Sequence, residues 1–278
     1  MSEIINIRQK KFFTAISAVD EDKIREAIPY RYNISIGILE GTKNNKFEYL
    51  MKVRNPIMPF IMDRVRPGEQ IDLYLVICKG DSVEELGKYE ERYLRKIKET
   101  IQARCEEIVG RGINVGDKDI NNGEYMKISS FVVDCDLAQV KEKFQAKHSP
   151  DADFDIRIQF VTDDNYENKR YGNSAKSYIR LFLNLMELIE DNDTIYIDYT
   201  YGFKPLVHIW RSICAFAARS RNQVEIDALS YGSLKGIGND VPTIYNHIDF
   251  FGWDEIITDS ANFEDNGKII KSVLEDFI

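Results

Sequence analysis

A short segment in the second half of the chain constrains the fold more than any other stretch. Residues 194–206 read TIYIDYTYGFKPL, a β-branched and aromatic run to Asp198, then polar residues around Gly202, then a helical stretch from Pro205. This order predicts a strand, a tight turn and a helix start, which is how an α/β sheet presents a ligand site at the carboxyl end of a strand. Proline suits the first helical turn because the amide that it lacks would be unpaired there.

The same segment also predicts the charge of a ligand. The predicted helix directs its free amides and the positive end of its dipole back at the turn, and Lys204 lies beside it. Gly202 allows the backbone to approach a bound group closely. We therefore expect an anion, most of all a phosphate, to bind at residues 200–205.

Periodicity along the rest of the chain predicts the fold class. Strands are predicted at 11–19, 71–78, 125–133, 154–161, 194–198 and 223–229, a β-hairpin over 30–53, and helices at 55–66, 82–109, 136–147, 173–189 and 205–220. Apolar strands that alternate with amphipathic helices are typical of a doubly wound sheet. We predict an α/β, Rossmann-like fold with a mostly parallel sheet, an added hairpin, and helices in the tail over 245–278.

The domain organisation follows from the same pattern. We expect one domain over residues 1–278, with a core of about 10–235 and a C-terminal helical extension of about 243–278. A polar loop over 230–240 is expected between them. The glycine-rich stretch 110–124 is predicted to loop out at the surface and is the one place where a domain boundary could lie.

Composition limits the kinds of partner. The chain has 37 Lys and Arg against 46 Asp and Glu, a net charge of −9. Binding to long nucleic acid is disfavoured because counterion release needs a basic surface, whereas a small anion needs only local positive charge. No apolar run approaches the roughly 18 residues of a membrane span, and the N-terminus lacks the apolar core of a signal peptide. We therefore expect a cytoplasmic protein without a membrane partner.

Metal and cofactor sites are not predicted. The four cysteines are dispersed, which favours buried reduced thiols over a disulfide framework or a zinc site. The acids at 151, 153 and 155 suit a solvated strand entry better than a metal site. The glycine fingerprints of dinucleotide-binding and P-loop proteins are absent, since GSLKGIG at 232–238 follows the last predicted strand rather than the first.

Catalytic residues are not predicted either. Of the histidines, His148, His208 and His247, none lies in a recognisable hydrolytic constellation, and His208 is expected to have a core or capping role. Two roles are possible for Asp198. It could orient a ligand hydroxyl, or it could accept hydrogen bonds from the turn that follows it, and we favour the second.

The turn and the next strand together carry a family resemblance. The residues are Asp198-Tyr199-Thr200-Tyr201-Gly202-Phe203-Lys204, followed by Tyr231-Gly232. This pattern resembles the CRISPR-associated Rossmann-fold sensor domains, the CARF domains, in the branch with D-x-T-H-G-F-R and a later Y-G. The layout is similar over most of the chain, and the specific motif covers about 60 residues, 176–236.

The resemblance implies a function in type III CRISPR antiviral defence. Such domains are sensors of cyclic oligoadenylate, here a tetra- or hexa-adenylate, which lies across the two-fold axis of a homodimer and regulates an effector. No effector module is recognised in this chain, so we expect the effector to be a separate protein or part of a longer one. The ligand-binding residues that the resemblance implies are Ser17, Ala18, Val19, Thr162, Asp163, Thr200, Tyr201, Gly202, Phe203 and Lys204.

Two departures from the family pattern leave alternatives open. Tyr201 stands where the family has histidine, and Lys204 stands where it has arginine, which keeps the charge but loses the planar fork. One alternative is a ring nuclease, which needs in-line placement of a ribose 2′-hydroxyl and could use Ser17 or Lys204, although no general base is evident. The other is a nucleotide-dependent transferase on a Rossmann-like fold.

Overall fold

The computed structural model describes residues 8–16, 28–32, 49–53, 55–77, 124–161, 171, 174–201, 205–233, 243–248 and 251–252. Its strands are β1 Lys10–Ile16, β2 Ile28–Tyr32, β3 Tyr49–Val53, β4 Gln70–Ile77, β5 Asp155–Val161, β6 Thr194–Asp198, β7 Glu225–Ser233 and β8 Thr243–Asn246. Its helices are α1 Met58–Arg64, α2 Glu124–Lys147, α3 Ala175–Glu187 and α4 Leu206–Ser220.

All the described strands belong to one sheet, in the order β3-β2-β8-β7-β6-β1-β4-β5. The run β5-β4-β1-β6-β7 is parallel throughout. Numbered among themselves in chain order, these strands stand as 3-2-1-4-5, which is the strand order of a Rossmann-like fold. The predicted fold class is therefore confirmed. The order reverses between β1 and β6, which makes that pair the topological switch point.

The predicted hairpin forms one end of the sheet. β2 and β3 pair antiparallel, from Ile28 opposite Val53 to Tyr32 opposite Tyr49. β2 also pairs in parallel with β8, which in turn runs antiparallel to β7. The hairpin is thus attached to the parallel strands through β8, and the connection at 33–48 lies outside the described residues.

In the part of the chain that the structure describes, two helices cover each face of the sheet. Successive strand residues point to opposite faces, so Phe12 joins the apolar cluster under α1 and α2, whereas Phe13 joins the cluster under α3 and α4. Aromatic rings stack across neighbouring strands in both clusters: Phe12 on Tyr196 at 4.3 Å, and Phe13 on Tyr74 at 4.7 Å. Coverage of both faces explains why β4 and β6 are largely apolar on both of their faces.

One predicted strand is wrong. Residues 125–133 belong to α2, and Asp136, predicted to cap a helix, lies inside it. The buried residues Val133, Leu137, Val140 and Phe144 recur every three or four positions, so the packing stripe is helical. The β-branched and aromatic content of 125–133 favoured a strand, but this tertiary packing overrides local propensity. Asp136 Oδ2 instead accepts hydrogen bonds from the Asn55 amide at 2.9 Å and from Asn55 Nδ2 at 3.1 Å.

The boundary at the end of the predicted core is also wrong. Residues 230–233, predicted to open a polar loop, continue β7, and residues 243–246, predicted to begin the helical extension, form β8. Tyr231 lies opposite Tyr245, and Gly232 lies opposite Ile244. The predicted helix at 82–109, the loop at 110–123 and the tail beyond Gly252 lie outside the described residues.

Candidate functional site

A buried carboxylate lies at the topological switch point. Asp198 is the last residue of β6 and is in register with Thr14 on β1 and Ser230 on β7. All three residues are 0% exposed. Thr14 Oγ1 donates to Asp198 Oδ2 at 2.9 Å, and Ser230 Oγ lies 3.3 Å from Asp198 Oδ1. Asp198 therefore connects three adjacent strands at the edge where α/β sheets bind ligands.

The same carboxylate organises the turn that follows β6. Asp198 Oδ1 accepts from the Thr200 amide at 3.3 Å and from Thr200 Oγ1 at 2.5 Å, which is an Asx-type turn. Thr200 Oγ1 in turn accepts from the Gly232 amide at 2.7 Å. We call Asp198, Thr200 and Gly232 the clamp. It confirms the structural role favoured for Asp198, and it joins the two parts of the sequence motif in one hydrogen-bonded unit.

The electrostatics of Asp198 follow from its position. Burial raises the pKa of Asp198 to about 6, although the hydrogen bonds from Thr200, Thr14 and Ser230 lower it. These donors are neutral hydroxyls and one amide, which stabilise the carboxylate less than a cation would. The ionised form of Asp198 is consequently less stable in the folded protein than in water.

A cluster of aromatic rings lies on the other side of the same strand ends. Tyr199, Tyr231, Tyr245 and His247 form this aromatic cluster, and Tyr199 packs against the apolar core under α3 and α4. The Tyr199 and Tyr231 rings are 5.5 Å apart with 21° between their planes. His247 lies 6.1 Å from Tyr231 and 6.0 Å from Tyr245, with 20° between the planes in both cases. These three pairs of rings are therefore close to parallel, whereas the Tyr199 and His247 rings are tilted by 40°.

A hydrogen bond fixes the orientation of two members of the cluster. The Tyr199 hydroxyl is bonded to His247 Nδ1. Burial raises the pKa of Tyr199 and lowers the pKa of His247, so both groups are neutral at pH 7. We assign the phenol as the donor and Nδ1 as the acceptor, which leaves the imidazole proton on Nε2.

Sequence reasoning missed the pairing of Tyr199 with His247. The two residues are 48 positions apart, and β8 had been predicted as part of a helical tail. The alternation of Tyr245, Asn246 and His247 was the one available signal, because it is the period of a strand with one polar face and one aromatic face.

The start of α4 has the properties expected for an anion site. Pro205 is the N-cap residue, its own side chain makes no capping hydrogen bond, and no acidic residue lies in the first turn of the helix. Its first amides and the positive dipole end are therefore not neutralised by a described side chain. His208, expected in a core or capping role, is instead exposed on α4.

Two of the predicted ligand-binding residues are described. Thr200 and Tyr201 are both half-buried, and Thr200 uses its hydroxyl in the clamp. The others, Ser17, Ala18, Val19, Thr162, Asp163, Gly202, Phe203 and Lys204, lie outside the described residues. β1 and β6 are neighbours in the sheet, whereas β5, after which Thr162 follows, is separated from β1 by β4. Ligand contacts at all these positions stay predictions.

Two further candidate residues, Asp153 and Cys214, have structural surroundings. Asp153 forms an ion pair with Lys141 at 2.8 Å, and the hydrogen bond from that lysine lowers the pKa of the carboxyl. Cys214 is a buried free thiol, as predicted, and burial raises its pKa to about 12. Within the described ranges, no group of three or more His, Cys, Asp or Glu residues is placed to hold a metal ion. None of the helices in this part of the chain has an apolar stretch that could cross a bilayer.

Comparison with known proteins does not assign the chain to a family. A scan against protein-family models and a search of the curated proteins found no match. The resemblance to the CARF domains thus depends on the motif at 198–204, on Tyr231 and Gly232, and on the strand order.

Proposed function

We propose that this protein is a sensor that binds a cyclic oligoadenylate across a two-fold dimer and thereby regulates an effector in type III CRISPR defence. The observation that carries the proposal is the hydrogen bond from the Gly232 amide to Thr200 Oγ1. It joins the D-x-T and Y-G parts of the motif, which lie 32 residues apart in the chain. The two parts of the motif therefore lie together in the fold, beside the switch point.

The clamp suggests how the turn would act on a phosphodiester. Because Asp198 and Thr200 form hydrogen bonds with each other and Thr200 also bonds the Gly232 amide, they would hold the residues after them in position for the ligand. In the proposal, the turn at 201–204 supplies amides and the ammonium group of Lys204, and the first turn of α4 adds its dipole. This local positive charge is sufficient although the chain has a net charge of −9.

The proposed ligand is a ring because its symmetry suits a two-fold pair of identical sites. A two-fold interface presents the same residues twice, so a ring with an even number of repeats can make each contact twice. A mononucleotide would contact only one of the two sites, so two separate molecules would be needed to fill both.

The experiment is a calorimetric titration of the full chain with cyclic tri-, tetra- and hexa-adenylate, with ATP and a methyl donor as comparisons. We expect one ring size to bind tightly at one ring per two chains. Lys204→Ala should weaken binding by about 1.5–3 kcal/mol, the size of one charge-assisted hydrogen bond, and Lys204→Arg should restore it. Lys143→Ala is the matched control, because Lys143 is exposed on α2, which covers the opposite face from α4.

Binding of a mononucleotide or a methyl donor without ring binding would contradict the sensor and favour a transferase. Unchanged affinity in Lys204→Ala would remove that residue from the site and leave the sensor function standing.

One observation favours a second candidate function, cleavage of the ring. His247 is a neutral imidazole at the same strand ends and is a candidate general base. If the Tyr199 hydroxyl turns away from Nδ1, that nitrogen would accept the proton of a ribose 2′-hydroxyl while the hydroxyl oxygen attacks the adjacent phosphorus. The 5′-oxygen would leave and take a proton from water, giving a linear product with a 2′,3′-cyclic phosphate and a 5′-hydroxyl. Chromatography of the ring after incubation distinguishes the functions, since the sensor returns it intact and the nuclease returns the linear product.

A further inference from the structure

Tyr231 is an exposed residue whose ring is held in place by its neighbours. Tyr231 is 38% exposed, and it lies on β7, which pairs with β6 from Glu225 to Ser230 and with β8 from Ser230 to Ser233. The pairing with β6 ends at Ser230, so from Tyr231 onward β7 is bonded only to β8 in the ladder. Tyr231 therefore lies just beyond the end of β6, where a ligand bound at the strand ends can reach it.

Contacts around Tyr231 hold its ring in place. The ring is close to parallel with Tyr199 and His247, and Tyr245 lies directly opposite on β8. Tyr199 is fixed by its hydroxyl bond to His247 and by its amide, which donates to the Ser230 carbonyl at 3.0 Å. The His247 amide donates to the Leu229 carbonyl at 2.7 Å. A ring that is already ordered loses little entropy when a ligand stacks on it.

Tyr231 lies next to the clamp, so its ring is close to the turn that is proposed to bind a phosphate. Gly232, the next residue, donates its amide to Thr200 and so fixes the turn proposed to hold a phosphate. A nucleotide has its flat base and its phosphate on opposite sides of one sugar, and this strand end offers an aromatic surface beside an anion-binding turn. Base stacking on tyrosine contributes to affinity because every base has a π-face.

We propose that Tyr231 is a base-stacking residue, against whose exposed ring one adenine of the bound ligand lies. The inference rests on the proposed function and adds the residue that recognises the base. The competing role for Tyr231 is a cross-strand contact with Tyr245 that stabilises the β7 and β8 ribbon without touching a ligand.

The test uses cyclic tetra- and hexa-adenylate that carry one 2-aminopurine, whose fluorescence is quenched on stacking. Full-length wild type, Tyr231→Phe and Tyr231→Leu are titrated with each ring. Phe216→Leu is the control, because Phe216 is an exposed aromatic residue on α4 outside the aromatic cluster. We expect quenching and unchanged affinity in Tyr231→Phe and in the control. Tyr231→Leu should bind about 5- to 150-fold more weakly, with the quenching lost at saturation.

Each outcome decides a different claim. If Tyr231→Leu binds and quenches as the wild type does, the stacking role is overturned while the sensor function stands. If the wild type binds neither ring, both the proposed function and the stacking role are overturned. If Tyr231→Leu does not fold, the wild-type titration still decides, because a bound ring whose 2-aminopurine is not quenched contradicts stacking.

Discussion

The Gly232 amide donates a hydrogen bond to Thr200 Oγ1 at 2.7 Å, and this bond ties the end of β6 to β7 beyond their last paired residues. Thr200 Oγ1 also donates to Asp198 Oδ1 at 2.5 Å. One hydroxyl group is therefore the hydrogen-bond partner of both an amide and a carboxylate, which would otherwise need water as a partner. We make four predictions about the folded protein without ligand, three near this bond and one at the other end of the same strands.

Removal of the Thr200 hydroxyl should destabilise the fold. Thr200→Val keeps the shape but leaves the Gly232 amide and one Asp198 oxygen without this partner, at a cost of about 1–3 kcal/mol in the free energy of unfolding. Thr200→Ser keeps the hydroxyl and should lose much less. Urea denaturation monitored by circular dichroism measures both variants. A valine variant as stable as the wild type would show that water replaces the clamp at no cost.

The pH dependence of stability should carry the signature of Asp198. Its folded pKa of about 6 lies above the ordinary value of 3.8, so the folded state binds a proton more tightly than the unfolded state. The free energy of unfolding should therefore fall as pH rises from about 4 to about 6, by at most about 3 kcal/mol from this group.

The comparison that isolates this effect is Asp198→Asn, which cannot titrate. The wild type should gain stability relative to the variant as pH is lowered from 7 to 4.5. A difference in unfolding free energy that stays constant over that interval would contradict the raised pKa.

A buried ion pair at the amino ends of β1 and β6, away from the clamp, should be important for stability. Lys11 Nζ lies 2.8 Å from Asp193 Oδ2, with side-chain exposures of 5% and 2%, and it also donates to the Leu188 carbonyl at 2.8 Å. Lys11→Met leaves a buried carboxylate without its cation and should cost about 3–5 kcal/mol.

A double-mutant cycle with Asp193→Asn measures the coupling between these partners. The second change should cost less in the Lys11→Met background than in the wild type, because the carboxylate has already lost its cation. Additive costs of the two single variants would show that the pair does not interact in solution.

The bond between Tyr199 and His247 should be visible in the titration of the imidazole. Burial lowers the pKa of His247, and the phenol donates to the neutral ring, which also opposes protonation. Tyr199→Phe removes the donor, so the His247 pKa should rise. Nuclear magnetic resonance titration of the ring carbons in both proteins measures the change. An unchanged or lower pKa in Tyr199→Phe would contradict the assignment of phenol as donor.

The sequence predicted those parts of the fold whose signals are local. β6 and α4 were predicted because a β-branched run, a glycine turn and a proline follow one another within residues 194–206. β4 was predicted because a strand covered on both faces is apolar throughout. The role favoured for Asp198 was also correct, because an aspartate before a turn commonly accepts the amide two residues later.

The parts that were missed depend on distant contacts. Residues 125–133 have strand-like composition, and their helical state follows from a packing stripe that continues to Phe144. β8 is a strand because Thr243 to Asn246 pair with β7, and because Thr243 and Ile244 also pair with β2, which lies near the other end of the chain. For the same reason, no local pattern could place His247 beside Tyr199.

The central claim is that the turn held by the clamp binds a phosphodiester ring shared by two chains. Native mass spectrometry of the full chain mixed with cyclic tetra- and hexa-adenylate tests it most directly, because it counts chains and rings in one complex. We expect a species of two chains and one ring that is diminished in Lys204→Ala and preserved in Lys143→Ala. A spectrum in which neither ring is retained, at concentrations where the protein is folded, would contradict it.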